Sequence, residues 1–188
     1  MKKQKAAETR KVYDLSSLRV MVLEEFPFMA DLMAEMLREF KVSAVLTTCK
    51  AEQAMEMLEQ YNMYSPPRAH IDMLISDWIP PSGEGLELLK WARIHAVESI
   101  RYLPILFCTS YANQWRVVTV RDSGANEVLV KPVSAQKLAH RLTYIIDKPR
   151  PFVRSRHFLG PDRRRREDAY QGKERRVRTK VKVTHEQG

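Results

Sequence analysis

From Leu18 to Asp147, short apolar runs alternate with longer stretches in which apolar residues return every three or four positions. Leu18–Leu23 predicts a strand, ended by Glu24, Glu25 and Pro27. Phe28–Phe40 follows with Met29, Leu32, Met33, Met36, Leu37 and Phe40 on one helical stripe. Ser43–Thr48 is a second strand and Ala51–Tyr61 a second helix, with Ala54, Met55, Leu58 and Tyr61 on one face. Ile71–Ser76 is a third strand running straight into Asp77, and Leu86, Leu89, Ala92 and Ala96 mark a third helix reaching about Val97. Leu103–Cys108 is a fourth strand, and Ala112–Asp122 a weakly patterned helix closed by Gly124. Val128–Val130 is a fifth strand, and Ser134 caps a last helix carrying Leu138, Leu142, Ile145 and Ile146. Five strands alternating with five helices predict an α/β domain with a doubly wound parallel sheet buried on both faces. In such a sheet the functional residues lie just beyond the C-terminal ends of the strands.

Charge divides the chain in two. The 188 residues carry 32 Lys+Arg against 23 Asp+Glu, a net charge of +9. Met1–Asp147 holds 18 basic and 18 acidic residues, and Lys148–Gly188 holds 14 and 5, so the whole excess lies in the last fifth. Cys49 and Cys108 are too few and too far apart for a disulfide scaffold or a zinc module, and fit a reducing compartment. Charges interrupt every long apolar run, so no membrane-spanning helix is expected. The basic start, MKKQKAAETRKVYDL, lacks the apolar stretch of a secretory signal; residues 1–16 read as a basic arm, disordered over its first dozen residues. A cytoplasmic protein is expected.

The strand-end rule selects Glu24, Glu25, Asp77, Thr109 and Lys131. Three carboxylates at one edge repel unless a cation neutralises them, and a hard divalent ion such as Mg²⁺ suits oxygen ligands. Lys131 offsets further charge, and Thr109 can donate to an incoming oxygen. The set suits a carboxylate nucleophile accepting a phosphoryl group. Singly, each feature reads as a turn former or a solvated pair; their order at successive strand ends gives them meaning.

On Glu24-Glu25, on Asp77 in DWIPPSGEGLELL, on Thr109 in PILFCTS and on Lys131 in GANEVLVKPV, the segment from Leu18 to Asp147 resembles the receiver domain of CheY-like response regulators. The resemblance implies a five-stranded flavodoxin-like sheet of order 2-1-3-4-5 over residues 17–147. It also implies that Asp77 is the phosphoacceptor, and that Glu24, Glu25, Asp77 and the backbone carbonyl of Ile79 hold Mg²⁺. Thr109 and Lys131 would contact the phosphoryl group, and the Lys131-Pro132 peptide would be cis. Implied partners are a histidine kinase or a phosphotransfer protein. Three positions depart from the usual pattern: the acid pair is two Glu, Pro80-Pro81 replaces Met-Pro, and Val128 stands where a switch aromatic is usual. With Val128 there, no ring is available to swing against Thr109.

Residues 148–188 read as an arginine-rich tail, disordered or ordered by a ligand. Lys148-Pro149-Arg150-Pro151 predicts an extended linker, and the chain beyond Pro151 has too few apolar residues for a core of its own. Gly160-Pro161-Asp162-Arg163-Arg164 recurs as Gly172-Lys173-Glu174-Arg175-Arg176; Arg154, Arg156 and Phe158 precede the first copy and Tyr170 the second. Arginine binds phosphate through two parallel hydrogen bonds, pairs with guanine and stacks on bases. The string RSRHFLGPDRRRR resembles the extension of the Cle subgroup of CheY-like proteins from alphaproteobacteria. That resemblance implies cyclic di-GMP binding by Arg154, Arg156, Phe158, Gly160, Pro161, Asp162, Arg163, Arg164, Arg165, Arg166, Tyr170, Arg175 and Arg176. It also implies docking on a partner protein such as a flagellar motor component. The alternative is a cationic tail that contacts nucleic acid or acidic surfaces non-specifically.

Overall fold

The computed structural model describes residues 13–110, 113–155, 158–163 and 179–181. Its first five strands are β1 (Arg19–Leu23), β2 (Ala44–Thr48), β3 (Met73–Ser76), β4 (Ile105–Thr109) and β5 (Glu127–Val130). They form one parallel sheet in the order β2-β1-β3-β4-β5, as expected. The connecting helices are α1 (Pro27–Glu39), α2 (Ala51–Asn62), α3 (Glu84–Ile94), the one-turn α4 (Glu98–Arg101), α5 (Gln114–Asp122) and α6 (Ala135–Asp147).

Alternate strand residues face opposite sides, and each side has its own core. Met21, Leu23, Leu74, Ile105 and Phe107 pack against Leu58 of α2, Leu88 and Leu89 of α3, and Val120 of α5. Val20, Val22, Ile75, Leu106, Cys108 and Leu129 pack against Met33 and Leu37 of α1 and Leu138 and Leu142 of α6. Both faces are covered, which explains why the strands read as near-continuous apolar runs. Among the described residues no helix is long and apolar enough to cross a membrane.

Two expectations change. The third helix does not reach Val97: it ends at Ile94, and α4 starts afresh at Glu98. The break is held by His95, whose Nδ1 accepts from the Val97 amide at 3.1 Å. Arg101 secures it by donating to the carbonyls of His95 and Ala96 at 3.1 and 3.2 Å.

The second change is in the tail, where chain after Pro151 forms β6 (Phe152–Ser155), β7 (Phe158–Pro161) and β8 (Thr179–Val181). These make an antiparallel sheet of order β7-β6-β8. Among the described tail residues Phe152 and Val153 are buried, and Phe152 packs on the larger domain. The ring of Phe152 meets Tyr102 edge-on at 5.2 Å and lies 5.1 Å below the guanidinium of Arg93. Arg93 is buried and donates to the carbonyls of Gly124, Arg101 and Leu103 at 2.9 Å each and to Asn126 Oδ1 at 3.1 Å. Burial lowers its pKa to about 9, so the guanidinium remains cationic at neutral pH. A second tie is the buried Glu127, whose two oxygens accept from Arg150 and Arg141 at 3.1 Å.

Candidate functional site

Three backbone hydrogen bonds carry the parallel ladder past the ends of its strands and bring the site together. The Glu24 amide donates to the Thr48 carbonyl at 3.1 Å, the Asp77 amide to Leu23 at 2.9 Å, and the Lys131 amide to Thr109 at 3.0 Å. Glu24, Asp77 and Lys131 thereby share one edge. The Lys131 ammonium donates to Glu24 Oε2 and, at 2.7 Å, to Asp77 Oδ2. Asp77 Oδ1 accepts from the Trp78 amide at 2.6 Å.

The loop after Asp77 is fixed from below. A Cβ on Gly85 would stand 1.7 Å from the Asp77 carbonyl oxygen, so α3 begins in direct contact with the backbone of Asp77. Only glycine permits that approach. Ile79 holds φ 54°, a region β-branched residues rarely enter, and its carbonyl accepts from the Gly83 amide at 2.9 Å. Both Lys131-Pro132, as the resemblance implies, and Pro80-Pro81 are cis.

The charges balance incompletely. Glu24 is 1 % exposed and Asp77 6 %, and one ammonium serves both. Burial raises the Glu24 pKa, and the hydrogen bond and charge of Lys131 only partly oppose it. For Lys131, burial pulls the pKa down, but hydrogen bonds to Asp77 and Glu24 outweigh it and the net shift is upward. Cys108, beneath the site, is pushed by burial to about 12, which keeps it a neutral thiol rather than a nucleophile.

Glu24 and Asp77 thus face one point, Thr109 is buried at the adjoining end of β4, and Glu25 stays half-buried at the rim. Among the described residues no three His, Cys, Asp or Glu side chains gather closely enough to hold a metal ion. The expected triple-carboxylate cluster is therefore a pair, with the lysine between its members. Mg²⁺ keeps several waters and needs only one or two carboxylates. The converging pair of buried, under-neutralised acids fits such an ion in kind.

Against this geometry, the family model for the response regulator receiver domain matches residues 20–143. The chain belongs to the response regulator receiver family. Receivers with recognisable sequence similarity include the chemotaxis protein CheY-3 of Vibrio cholerae, 24% identical over 132 residues, which are 70% of this chain and 94% of that protein. The chemotaxis protein CheY of Pseudomonas aeruginosa is 25% identical over 131 residues, 70% of this chain and 98% of that one. Among solved structures, the receiver domain of the sensor histidine kinase PA1611 from Pseudomonas aeruginosa, with a magnesium ion coordinated in its active-site cleft, superposes with TM-score 0.58 at 22% identity. That likeness covers 70% of this chain and 99% of the other. A response regulator from Thermotoga maritima gives TM-score 0.58 at 19% identity, with the same coverage. This receiver is therefore a response regulator module of two-component signalling.

The tail residues divide. Arg154 is exposed on β6; Phe158 is half-buried on β7; Gly160 and Pro161 are buried. The Asp162 amide donates to the Pro151 carbonyl at 2.8 Å. Arg163 lies 4.3 Å over the Phe158 ring and pairs with Asp122 at 3.2 Å. Arg156, Arg164, Arg165, Arg166, Tyr170, Arg175 and Arg176 lie outside the described residues. Sequence reasoning missed Trp78, Gly85, Arg93 and Glu127 as parts of this architecture. The spacing of Gly85 from Asp77 was a usable signal, whereas a lone Arg in a helix or Glu in a strand gives none.

Proposed function

We propose that this receiver accepts a phosphoryl group at Asp77 and that its arginine-rich tail binds cyclic di-GMP. Its output would be docking on a partner protein. The observation carrying the first part is the Lys131 ammonium held 2.7 Å from Asp77 Oδ2, at a strand end where a phosphoryl oxygen would need a fixed counter-charge. An Asp77 carboxylate oxygen attacks the phosphorus of a phosphorylated histidine on a kinase or phosphotransfer protein. The O–P bond forms as the P–N bond breaks, and the imidazole leaves with the electron pair. Lys131 holds the phosphoryl oxygens, and Thr109 donates to one of them. When bound, Mg²⁺ would be held by Glu24 and Asp77, with Glu25 at the rim and the Ile79 carbonyl alongside, and would neutralise charge on the transferred group.

For the tail, the support is the stacked Arg163 and Phe158 pair, a guanidinium already paired with a ring, with Arg154 exposed on the neighbouring strand. Arginine and an aromatic side by side suit a ligand with both phosphate and guanine faces. Similarity to chemotaxis CheY proteins favours a motility component, such as the flagellar motor, as docking partner. A second reading rests on the tail's +9 excess of charge, which would bind nucleic acid or acidic surfaces without selectivity. Calorimetric titration of cyclic di-GMP into the full chain, at moderate and high salt and against GTP, separates the two. Saturable binding that survives salt, is absent for GTP and is lost in Arg163→Ala/Arg164→Ala supports the dinucleotide. Binding that collapses with salt and extends to any polyanion supports the second reading.

A further inference from the structure

The helix α5 touches both functional regions. At its first turn, the Trp115 ring centroid lies 6.3 Å from that of Trp78, and the Arg116 guanidinium stands 4.9 Å over the same indole. Trp78 follows Asp77 directly, and its amide donates to the Asp77 carboxylate. Its ring also meets Phe107 of β4 edge-on at 6.3 Å. At the other end of α5, Asp122 pairs with Arg163 at 3.2 Å. Two residues on, Gly124 abuts the hairpin so closely that a Cβ on Gly160 would stand 2.6 Å from the Gly124 Cα. Nine residues of helix span about 13 Å, enough to separate the two ends without intervening structure.

This helix is held chiefly by its ends. Val120 is its one buried residue, in contrast to α3, which buries six. An element with so little apolar anchorage lies at the low-stability end of a domain, where elements that shift are found. Position 128, where a ring could have swung, is Val, while the rings of Phe107 and Trp115 and a guanidinium gather around Trp78, the residue next to Asp77.

We propose that α5 couples the state of Asp77 to the arginine hairpin, with Trp78 as the contact at one end and the Asp122, Gly124 and Gly160 contacts at the other. The proposal rests on the reading of Asp77 as phosphoacceptor. Converting the carboxylate to an acyl phosphate moves its negative charge outward onto the phosphoryl oxygens and weakens the hold of Asp77 Oδ1 on the Trp78 amide. The indole then shifts against Trp115 and Arg116, and α5 moves under Arg163 and β7. Coupling of this kind is reciprocal: loosening the hairpin changes the surroundings of Trp78.

The test uses the full chain carrying Trp91→Phe, so that emission comes from Trp78 and Trp115 alone. Beryllofluoride with Mg²⁺ serves as the probe at Asp77, and hydrogen exchange is read over residues 152–163. The expected result is a change in tryptophan emission together with an exchange rate in the hairpin altered about fivefold or more, the latter lost in Trp115→Ala. Emission that responds while hairpin exchange stays fixed would overturn the coupling.

If peptide mapping after incubation with Mg²⁺ and a small phosphodonor shows no phosphoryl group on Asp77, the phosphoacceptor reading has failed and the reverse perturbation decides the coupling; unchanged emission in a chain that does take up the group overturns the coupling. Arg163→Ala, at an exposed position, and Gly160→Ala, which forces β7 off Gly124, are then each read by acrylamide quenching. A quenching constant raised about twofold or more by both supports α5 as the link. Quenching unchanged in both overturns it.

Discussion

The edge of the parallel sheet around Asp77 and the hairpin built by the tail handle charge in opposite ways. At the sheet edge, Glu24 and Asp77 are buried and Lys131 is half-buried between them, and the amide of each donates to a carbonyl of a neighbouring strand. In the hairpin Phe152 and Val153 go inward while Arg154 and Arg163 stay exposed, Arg163 resting on Phe158. One region has its own core on both faces of the sheet; the other packs Phe152 against Tyr102 and Arg93 of that region. A buried charged site depends on the whole fold for its geometry, whereas an arginine surface needs only a few anchoring contacts. Changes at the first should therefore cost stability and chemistry together, and changes at the second should separate them.

The largest effect on stability is expected from Lys131→Met, which leaves Glu24 and Asp77 facing each other without their cation. Removing one partner of a buried pair costs about 3–5 kcal/mol. The loss should depend on pH with a definite sign. Glu24 already has a raised pKa in the folded state, so its folded form favours the proton. Stability is present below the unfolded carboxylate value and falls as pH rises through the folded one. Urea midpoints for Lys131→Met should therefore fall more steeply between mildly acidic and neutral pH than those of the parent chain. Parallel curves would contradict the placement of Glu24.

Gly85→Ala comes next. A methyl 1.7 Å from the Asp77 carbonyl forces α3 and the phosphoacceptor apart, and overpacking of this kind costs about 1–3 kcal/mol. Denaturant unfolding would show it, and an unaltered midpoint would mean that α3 does not start against Asp77.

Phe152→Ala sharpens the comparison from the other side. It should strip exchange protection from β6 and β7 while amides of the parallel sheet keep theirs. If protection falls throughout, the hairpin is part of the main core. Arg163→Ala should be smallest in stability, within about 1 kcal/mol, because its pair with Asp122 is exposed to solvent. A loss well beyond that in thermal unfolding would assign Arg163 a structural role.

Most of the sheet edge could be read from sequence because a parallel sheet puts its signals in local order: an apolar run, then the residue that matters. Asp77 after Ile71–Ser76 and Lys131 after Val128–Val130 needed only that rule. The hairpin was not legible for the opposite reason. Its buried Phe152 and Val153 form no periodic pattern, and the partners of Phe152 lie fifty and more residues earlier at Tyr102 and Arg93. Arg93 itself hides well, since arginine is almost never fully buried unless its donors are satisfied, and here backbone carbonyls satisfy them. The end of α3 escaped prediction because a helical pattern continues through Ala96, while the break is held by the bonds from Val97 to the His95 ring and from Arg101 to the His95 and Ala96 carbonyls. The reduction of the acid cluster from three carboxylates to two reflects Glu25, which sequence order places beside Glu24 but which sits at the rim.

The most direct test of the account is peptide mapping by mass spectrometry after the full chain is incubated with Mg²⁺ and a small phosphodonor, beside Asp77→Asn. The account predicts one alkali-labile phosphoryl group on the peptide containing Asp77, absent from Asp77→Asn and strongly reduced in Lys131→Met. A chain that takes up no phosphoryl group, or takes it up equally in Asp77→Asn, would contradict it.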